Sequence, residues 1–591
     1  MNSARWLSHK RLPELLTSLL LLVAIARIVA TYHVLSQAYD EPATVVAGME
    51  WLEKGTYLMD PFHPPLARIA SVIGPYLAGA RFPDYRMIID EHGISYDSFA
   101  MGTDVLNWGG RYWEMLTLAR LGMLPFFVVG AWLIFLWARD IGGGLAAVLA
   151  VLCFTTLPPI LAFTGFAYTD MPVAVFVGAS VFMFARWLQA PSSRKAALFG
   201  VATALALLSN FPAVLFLPPC WLVTLVCWWW FRRGQAWDKR TFFRHAVWAV
   251  VVCIVLMWAG YRFQVQRVQG IYARPADDVK ALHVSPTVKK VLLKVVQINP
   301  PIPAPALIRG LTSIFISNAK GRPSYLFGEM RDGGWRYFFV VVAAVKSPLG
   351  FLILALLGGG GMLLRGWKTG DWRLLVPTLS AIVVLVASSL AKVNYGRNIL
   401  SVYPFLAVMA GYGGMLLWTM EKSWRWLGRI ALIVLLAWIV VSTTRIHPDY
   451  VSYFNELAGR HPEHVLLWGC DYDCGQDAAR LGKVLREQNV KQLSLSLFTT
   501  SDIAKLGYPP FQVINPNEKA TGWVAVSMRL LLTGDSFWGG THPDGYRWLL
   551  DCPPVARAGT TIYLYSVPCS ASPGGGHGVD NPQSKFGPAR N

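Results

Sequence analysis

Residues 12–33 read LPELLTSLLLLVAIARIVATYH, a nearly continuous apolar run that follows the basic residues Lys10 and Arg11. A helix rises about 1.5 Å per residue, so this run is long enough to cross the roughly 30 Å of hydrocarbon in a bilayer. It lacks a convincing small-residue cleavage site, and many more apolar runs follow it. We therefore predict a retained first transmembrane helix and not a cleaved secretory signal.

The composition of the whole chain indicates the same environment. Of the 591 residues, 54% are hydrophobic and 15% are charged, whereas soluble domains have about 45–50% and 25%. The 25 Trp and 22 Tyr suit the aromatic belts at the two membrane interfaces. The net charge of +19 lies mostly in short loops between apolar runs. Membrane lipids are therefore the expected partners of these loops, and nucleic acid is not.

Further apolar segments of similar length make the chain a polytopic α-helical membrane protein with about eleven transmembrane helices. The predicted spans lie near residues 12–33, 116–138, 143–163, 171–188, 195–210, 212–231, 245–262, 336–364, 373–391, 399–419 and 425–443. At residues 210–212 the sequence is compatible with a tight hairpin or with one long irregular element.

Lys and Arg are concentrated in alternate short connections between these spans. Under the positive-inside rule this places the N-terminus in the cytoplasm, and an odd number of spans places the C-terminus outside. The external parts are residues 34–115, residues 263–335 and everything after about residue 444. Helical periodicity in the first of them predicts amphipathic helices at 42–53 and 65–79, lying along the membrane surface.

These boundaries divide the chain into three parts. Residues 1–444 form the predicted transmembrane domain. Residues 445–570 alternate apolar runs with a helical stretch from Ala478 to Glu487, a pattern that predicts a small external α/β domain. Residues 571–591 are polar and rich in Gly and Pro, so we predict a disordered tail.

The cysteines divide between these environments. Those inside apolar segments behave as small hydrophobes, whereas disulfides can persist in an external domain. The first group comprises Cys153, Cys220, Cys227 and Cys253, and the second comprises Cys470, Cys474, Cys552 and Cys569. A pair between Cys552 and Cys569 is plausible. Cys470 and Cys474 lack the partner pair of a zinc site, which favours a disulfide or free thiols.

Asp40 and Glu41 follow the first span by about seven residues, so they lie near the lipid headgroups. A carboxylate at this depth suits a base that acts on a lipid-borne sugar. Asp40 before Glu41 and Pro42 is also a normal helix start, in which the carboxylate caps the helix. The sequence alone leaves both interpretations open.

A second candidate group lies at a Pro-rich turn. His63 could ligate a metal or bind a phosphate, and Arg68, near the start of the next predicted helix, could pair with phosphate. A solitary His at such a turn is also commonly structural. The residues leave open whether a divalent cation takes part as a cofactor.

Two short external connections carry charge at the membrane boundary. Asp170 is costly to keep there unless it has a function, although Thr169 and Asp170 also suit a helix N-cap. Arg397, beside Tyr395 in the other connection, suits a phosphodiester, although snorkelling to lipid headgroups is the alternative. All these candidates lie on the predicted external face, and their convergence indicates one site.

The chain resembles the GT-C superfamily of glycosyltransferases, specifically the family-39-like enzymes that include protein O-mannosyltransferases and bacterial lipid A aminoarabinose transferases. The residues that carry the resemblance are Asp40-Glu41, His63-Pro64-Pro65-Leu66, Thr169-Asp170 and Tyr395-Gly396-Arg397 with the stretch from Val402 to Ala407. The resemblance covers the membrane part of the chain, roughly the first 445 residues. The resemblance implies a GT-C architecture.

The resemblance also implies roles for these residues. In that family the acidic residue of the first external loop is taken as the catalytic base, which falls on Asp40, and the second external acidic residue falls on Asp170. The expected catalytic residues are therefore Asp40 and Asp170, and the expected substrate-binding residues are Glu41, His63, Arg68, Tyr395 and Arg397.

At three places the sequence departs from these relatives, and each departure limits which of their properties are expected here. The lipid A transferases have Glu-Lys where this chain has His63-Pro64, so the metal and phosphate contacts of that branch do not transfer. Eukaryotic protein mannosyltransferases insert a β-trefoil domain, and residues 263–335 are too short for one, which points to a bacterial-type enzyme. In a similar C-terminal segment of bacterial relatives, the residue before Gly475 is usually Trp, whereas here it is Cys474.

The sequence has no Gly-x-x-x-x-Gly-Lys-Ser/Thr run, so we expect a membrane-borne activated donor. We interpret the chain as an inverting glycosyltransferase that moves a sugar from a polyprenyl-phosphate donor to a protein, lipid or glycan acceptor. It would act on the periplasmic face of a bacterial inner membrane. The alternatives are a lipid or lipid-linked-sugar flippase, which needs polar groups at the bilayer midplane, and a non-catalytic membrane subunit.

Overall fold

The computed structural model describes residues 11–90, 93–232, 238–268, 279–280, 285–536 and 540–568. Long apolar helices form a bundle, shorter helices and hairpins cover one end of it, and a domain with a five-stranded sheet follows the last long helix. Within the described residues, nine helical segments are long and apolar enough to cross a membrane. The predicted class of polytopic α-helical membrane protein is therefore confirmed.

The predicted spans are mostly helical, although the one at 336–364 is divided into two helices after Lys346 and the one at 143–163 ends in a separate short helix, Pro158–Thr164. The bundle consists of helices Leu12–Val29, Leu124–Thr155, Asp170–Gln189, Ser193–Ser209, Ala213–Phe231, Lys239–Gly260, Phe338–Lys346, Leu349–Thr369, Leu375–Leu390, Tyr403–Trp418 and Arg425–Arg445. Leu124–Thr155 supplies two predicted spans, because its backbone turns at Gly143, where φ is 78°. Glycine adopts this conformation without the steric cost that a Cβ would add.

Ion pairs show which helix ends lie together. Arg139 Nη1 lies 2.6 Å from Glu14 Oε1, and Arg186 Nη1 lies 2.6 Å from Asp140 Oδ1. These contacts join the start of the first helix, the turn within the long helix and the end of the helix that begins at Asp170. Asp170 is at the opposite end of that 20-residue helix, about 30 Å away at 1.5 Å per residue.

The segment after the first helix contains both predicted amphipathic helices, as Glu41–Glu53 and Pro65–Leu77. The remaining elements of this segment are the hairpin Met87–Asp90 with Gly93–Tyr96 and the helices Ser98–Leu106 and Tyr112–Leu121. Protein covers most of Glu41–Glu53, and a Cβ on Gly102 would lie 2.0 Å from the carbonyl oxygen of Pro42. This helix therefore belongs to the protein interior. The prediction that it lies along the membrane surface is wrong.

The segment before helix Phe338–Lys346 is built from hairpins and helices. One hairpin pairs Val265–Arg267 with Pro301–Pro303, and a second pairs Pro323–Leu326 with Glu329–Asp332. The helices are Pro286–Ile298 and Pro305–Lys320. The second of these helices contributes Leu311, Ile314 and Phe315 to the cavity described below.

The C-terminal sheet mixes parallel and antiparallel pairing. Its strands run in the spatial order Ala556–Ala558, Ile562–Val567, Gly522–Ser527, Leu493–Ser496 and Phe511–Val513. The first three pair antiparallel, and Leu493–Ser496 lies parallel to both of its neighbours. The predicted helix at Ala478–Glu487 is present and packs its Leu481 and Leu485 in the same apolar cluster as Leu493 and Leu564.

A connector, residues 446–477, joins the last helix of the bundle to this sheet. Its apolar run ends in Leu466, Leu467 and Trp468, which are buried without forming a strand. Connector carbonyls also accept hydrogen bonds from the chain just after the first helix, including one of 2.8 Å from Tyr39 N to Cys474 O. The sheet domain is thus fixed directly above the bundle end that carries Asp170.

Candidate active site

A cavity of about 710 Å³ lies between the end of the helix bundle and the sheet domain. Its lining combines charged and apolar side chains. The polar lining includes Asp40, Asp60, His63, Asp170, Asn210, Tyr395, Arg397 and Arg529, and the apolar lining includes Phe211, Leu215, Phe216, Leu311 and Phe315. The predicted site residues Asp40, His63, Asp170, Tyr395 and Arg397 therefore come together in one place.

Asp40 and Arg397 form an ion pair in the cavity wall. Arg397 Nη1 donates to Asp40 Oδ2 at 2.7 Å, with 35% of the Asp40 side chain and 16% of the Arg397 side chain exposed. Asp40 precedes helix Glu41–Glu53, yet its carboxylate makes no capping hydrogen bond to the amides of that helix. The capping interpretation is therefore not what this structure shows, because the carboxylate turns toward the cavity.

Tyr168 holds this pair in position. Its hydroxyl accepts a hydrogen bond from Asp40 N at 3.0 Å, and the Arg397 guanidinium lies 5.2 Å from the centre of its ring. A cation over an aromatic face is attracted by the ring quadrupole. The Arg397 guanidinium also lies 5.6 Å from the ring of Tyr395. The two aromatic rings thus keep the guanidinium at the cavity surface.

Asp170 is the second carboxylate of the cavity. It begins helix Asp170–Gln189, and only 4% of the residue is exposed. Thr169, the residue before it, accepts a hydrogen bond at 2.9 Å from Asn210 Nδ2. Asn210 lies at an extended break after helix Ser193–Ser209, which decides the ambiguous boundary in favour of two helices. This break places a polar side chain at the cavity.

His63 adds positive charge to the same wall. Its Nδ1 lies 2.8 Å from Asp60 Oδ2, and Arg68 Nη2 lies 3.5 Å from that oxygen. Burial raises the pKa of Asp60, but His63 and Arg68 outweigh burial and lower it to about 2. Burial lowers the pKa of His63, and the stronger opposing effect of Asp60 gives a net rise. The imidazolium form of His63 is therefore favoured beside the cavity.

Glu41 lies behind the cavity wall. Its two oxygens accept hydrogen bonds from Arg120 Nε at 2.9 Å and Arg120 Nη2 at 2.8 Å, and both side chains are 0% exposed. The amides of Ala38 and Ala167 donate to the same carboxylate at 2.7 and 2.8 Å. With its lone pairs engaged in this way, Glu41 has no face toward a substrate. Glu41 is not among the residues that line the cavity, and the substrate-binding role expected from the sequence stays a prediction.

Arg68 is also a supporting residue. Only 1% of it is exposed, and its guanidinium donates to the carbonyl oxygens of Asp60, at 2.8 Å, and His63. It thus holds the turn that carries these two residues. Arg68 is not among the residues that line the cavity, and its contact with a phosphate stays a prediction from the sequence.

The connector contributes the Cys470–Cys474 disulfide to the site. Cys470 lines the cavity, and its Sγ lies 3.6 Å from the Tyr168 hydroxyl. Of the two predicted alternatives for this cysteine pair, the structure shows the disulfide. Cys569 lies outside the described residues, so its pairing with Cys552 stays a prediction. The tail predicted to be disordered, residues 571–591, also lies outside them.

Arg529 is a cavity residue that the sequence did not reveal. It is 1% exposed, and its guanidinium lies 4.2 Å from the ring of Trp468 and 4.1 Å from the ring of Phe498. No local pattern marks it, because it reaches the cavity only through the packing of the sheet domain on the bundle. A similar argument applies to Tyr168, whose role depends on contacts with Asp40 and Cys470.

The described residues contain no group of three or more His, Cys, Asp or Glu side chains placed to hold a metal ion. Asp60 and His63 engage each other, and Asp40 engages Arg397. Part of the charged lining is thus arranged as carboxylate–cation pairs. Such pairs suit an anionic ligand that competes for the cation.

Comparisons with known proteins bear on this site. Residues 107–268, which include Tyr168, Asp170 and Asn210, match the family model described as dolichyl-phosphate-mannose-protein mannosyltransferase. None of the curated proteins is significantly similar to the chain.

Several solved structures are similar in architecture. ArnT from Cupriavidus metallidurans bound to undecaprenyl phosphate has 13% identity and a TM-score of 0.46, covering 94% of this chain and 99% of that one. The Archaeoglobus fulgidus oligosaccharyltransferase has 14% identity and a TM-score of 0.42, covering 93% and 73%. The S. cerevisiae Pmt1-Pmt2 complex has 18% identity and a TM-score of 0.31, covering 42% and 32%. Likenesses this remote support no assignment of residue roles.

The family match confirms the resemblance expected from the sequence, although it covers only part of the chain. The cavity residues Tyr168, Asp170 and Asn210 fall inside the matched region. The chain is thus a multi-pass membrane protein in which residues 107–268 are similar to the dolichyl-phosphate-mannose-protein mannosyltransferase family.

Proposed function

We propose that the cavity transfers a sugar from a polyprenyl-phosphate donor to an acceptor hydroxyl, with inversion at the anomeric carbon. One observation carries the proposal: the Asp40–Arg397 ion pair lies at the surface of a cavity of about 710 Å³ that also has an apolar lining. A lipid phosphate needs a cation for its headgroup and apolar surface for its first isoprenoid units. A base for the acceptor is needed within reach of both.

Arg397 is the proposed phosphate contact. Its planar fork of N–H donors matches phosphate oxygens, and such charge-assisted hydrogen bonds are stronger than neutral ones. In the structure the fork faces Asp40. A donor phosphate would take over part of this fork and release the Asp40 carboxylate for the acceptor. The favoured imidazolium of His63 supplies further positive charge in the same wall.

The proposed reaction is a displacement at the anomeric carbon. Asp40 accepts the proton of the acceptor hydroxyl while that oxygen forms a bond to the anomeric carbon. The bond from the anomeric carbon to the phosphate oxygen breaks, and its electron pair leaves with the phosphate. Arg397 and His63 stabilise the charge that develops there, an effect that is large in a site shielded from water. Attack opposite the leaving phosphate inverts the configuration.

Asp40 is favoured over Asp170 as the base because of exposure. The Asp40 side chain is 35% exposed, whereas Asp170 is 4% exposed at the start of its helix. An acceptor that enters from the sheet domain therefore meets Asp40 first. Asp170 is proposed to orient the sugar by accepting hydrogen bonds from its hydroxyl groups.

The sidedness of the site follows from charge. The bundle end with the Arg139–Glu14 and Arg186–Asp140 pairs carries the basic connections, and Asp170 lies at the other end. Basic connections are retained in the cytoplasm. We therefore propose a cytoplasmic N-terminus and a periplasmic cavity in a bacterial inner membrane.

The test is consumption of donor by purified protein in liposomes. A panel of labelled polyprenyl-phosphate sugars is supplied together with candidate protein, lipid and glycan acceptors, with nucleotide sugars and protein-free liposomes as controls. We expect one lipid-linked donor to release polyprenyl phosphate, the nucleotide sugars to remain intact, and the product to have the opposite anomeric configuration by NMR. Retained configuration would contradict the displacement. Movement of the intact lipid between leaflets without donor consumption would instead support a flippase.

A further inference from the structure

Helix Pro286–Ile298 has an apolar face that the rest of the protein does not cover. None of its residues is buried. Four apolar side chains recur at intervals of three and four positions, so they share one face of the helix. They are Val288, Val291, Val295 and Ile298, which are 44%, 58%, 37% and 65% exposed. We call this face the apolar stripe. Such a stripe is unfavourable in water and marks a surface that contacts something apolar.

Lysines flank the apolar stripe. Lys290 and Lys294 are exposed, and each directly precedes a valine of the stripe. One position corresponds to about 100° around a helix, so both lysines lie at one edge of the stripe. The helix contains no acidic residue. An apolar face edged by lysines is the pattern of a helix that lies in a membrane interface.

The chain that leads toward this helix starts at the cavity end of the bundle. At the end of helix Lys239–Gly260, Trp258 Nε1 donates to Gln264 O at 3.0 Å. The chain therefore turns back, and Gln264 is level with the last turn of this spanning helix. The last carbonyl of the same helix accepts a hydrogen bond of 3.1 Å from Trp51 Nε1, in the helix that follows Asp40. Gln264 thus lies near the membrane boundary on the cavity side.

A short hairpin connects this boundary to the amphipathic helix. Strand Val265–Arg267 follows Gln264 directly and pairs with Pro301–Pro303. Each strand has three residues, so the hairpin is only about 10 Å long. Ile298 ends the helix just before the second strand. The end of the helix is therefore held close to the level at which the spanning helix leaves the membrane.

We propose that helix Pro286–Ile298 lies in the headgroup layer of the leaflet on the cavity side, with an anionic lipid surface as its partner. The apolar stripe enters the boundary of the acyl chains, and Lys290 and Lys294 contact lipid phosphates. A symmetric contact between two copies of the chain would bring lysines toward lysines without an acidic partner on the helix, so a lipid surface fits the charge better. The same hairpin leads into helix Pro305–Lys320, which lines the cavity.

The test maps which side of the helix touches lipid. Purified full-length protein is placed in liposomes of equal parts phosphatidylglycerol and phosphatidylcholine. A photo-crosslinking amino acid replaces Val295, in the apolar stripe, or Gln297, which is exposed about 200° further around the helix. Lipid adducts are then identified by mass spectrometry. We expect adducts at Val295 to exceed those at Gln297 several-fold, and a repeat at Val291 should agree with Val295.

The role of the lysines is read from the kind of lipid that is captured. One lysine near an anionic surface contributes about fivefold to binding. Adducts of the anionic lipid at Val295 should therefore exceed those of the zwitterionic lipid by about fivefold or more. Combining Lys290→Gln with Lys294→Gln should abolish this preference. Lys505→Gln is the matched control, at a lysine that is 57% exposed on the sheet domain, and it should keep the preference.

Equal lipid adducts at Val295 and Gln297 would overturn the proposal. Adducts to a second copy of the chain in place of lipid would also overturn it, because the stripe would then be a subunit interface. A preference for anionic lipid that survives loss of both Lys290 and Lys294 would contradict their assigned contacts. Crosslinking is measured without sugar transfer, so its outcome is independent of the proposed function.

Discussion

Asp40 and Glu41 are adjacent in sequence, and each pairs with an arginine, but their environments are opposite. The Asp40 side chain is 35% exposed and faces a cavity, and its partner Arg397 lies in the cavity wall. Glu41 and Arg120 are 0% exposed, and two backbone amides complete the hydrogen bonding of the Glu41 carboxylate. The difference teaches that a buried carboxylate whose hydrogen bonds are all made to protein groups stabilises the fold. A carboxylate that faces a cavity is available for chemistry.

The largest loss of stability is expected from breaking the buried ion pair between Glu41 and Arg120. Glu41→Gln removes the charge opposite Arg120 and leaves a buried guanidinium uncompensated, which costs about 3–5 kcal/mol of stability. We expect a large loss of folded protein and a lowered melting temperature in detergent. If Glu41→Gln kept the normal melting temperature and lost only sugar transfer, Glu41 would belong to the reacting site and the comparison would fail.

Arg397→Gln is expected to act on the reaction and not on the fold. Loss of one group that stabilises transition-state charge costs about 10²–10³-fold in kcat. Arg397→Lys should recover part of the rate, since it restores the charge without the fork. The matched control is Arg86→Gln, at an arginine that is 53% exposed on the same side of the bundle. Equal transfer rates for Arg397→Gln and Arg86→Gln would show that Arg397 does not take part in the reaction.

A smaller, pH-dependent effect is expected at Asp60. Asp60 outweighs burial to raise the pKa of His63, so Asp60→Asn should lower that pKa. The imidazolium is lost as pH rises through the His63 pKa, and the alkaline limb of the transfer rate should therefore move to lower pH. The measurement is the transfer rate across pH 5 to 9 in unaltered protein and variant, a window chosen around the ordinary His value of about 6.5. A limb that stays in place would show that His63 does not contribute its charge.

The smallest effect is expected at an exposed ion pair. Asp104 lies 3.1 Å from Arg86, and the two side chains are 47% and 53% exposed. Exposed pairs contribute about 0.2–1 kcal/mol because water and salt screen them. Asp104→Asn should leave both the melting temperature and the transfer rate close to those of the unaltered protein. A fall in melting temperature as large as that of Glu41→Gln would mean that side-chain exposure does not distinguish ion pairs that stabilise the protein from those that do not.

The sequence predicted much of the fold and part of the site. Span length and basic loops placed Asp40, Asp170 and Arg397 at one end of the bundle, and the structure brings them to one cavity. These signals are local, because hydrophobic length and charge act on each segment separately. The outline of the helix bundle was predictable for the same reason.

The rest of the site depends on contacts between distant segments. Arg120 is 79 residues from Glu41, and no pattern near Glu41 shows that its carboxylate is taken. Cys470 reaches Tyr168 across 302 residues, through the packing of the connector on the bundle. Arg529 enters the cavity through the same packing. Such contacts are decided by tertiary structure, so the sequence alone placed both Asp40 and Glu41 at the site and did not show that only Asp40 lines the cavity.

The most direct test is the turnover of Asp40→Asn per folded molecule, with the melting temperature measured on the same sample. Removing a general base costs about 10²–10⁴-fold, and the amide keeps the shape of the side chain. We predict a loss of about 100-fold or more in transfer, with a melting temperature close to that of the unaltered protein. Unchanged turnover, or turnover lost only in proportion to folded protein, would contradict the assignment of Asp40 as the base.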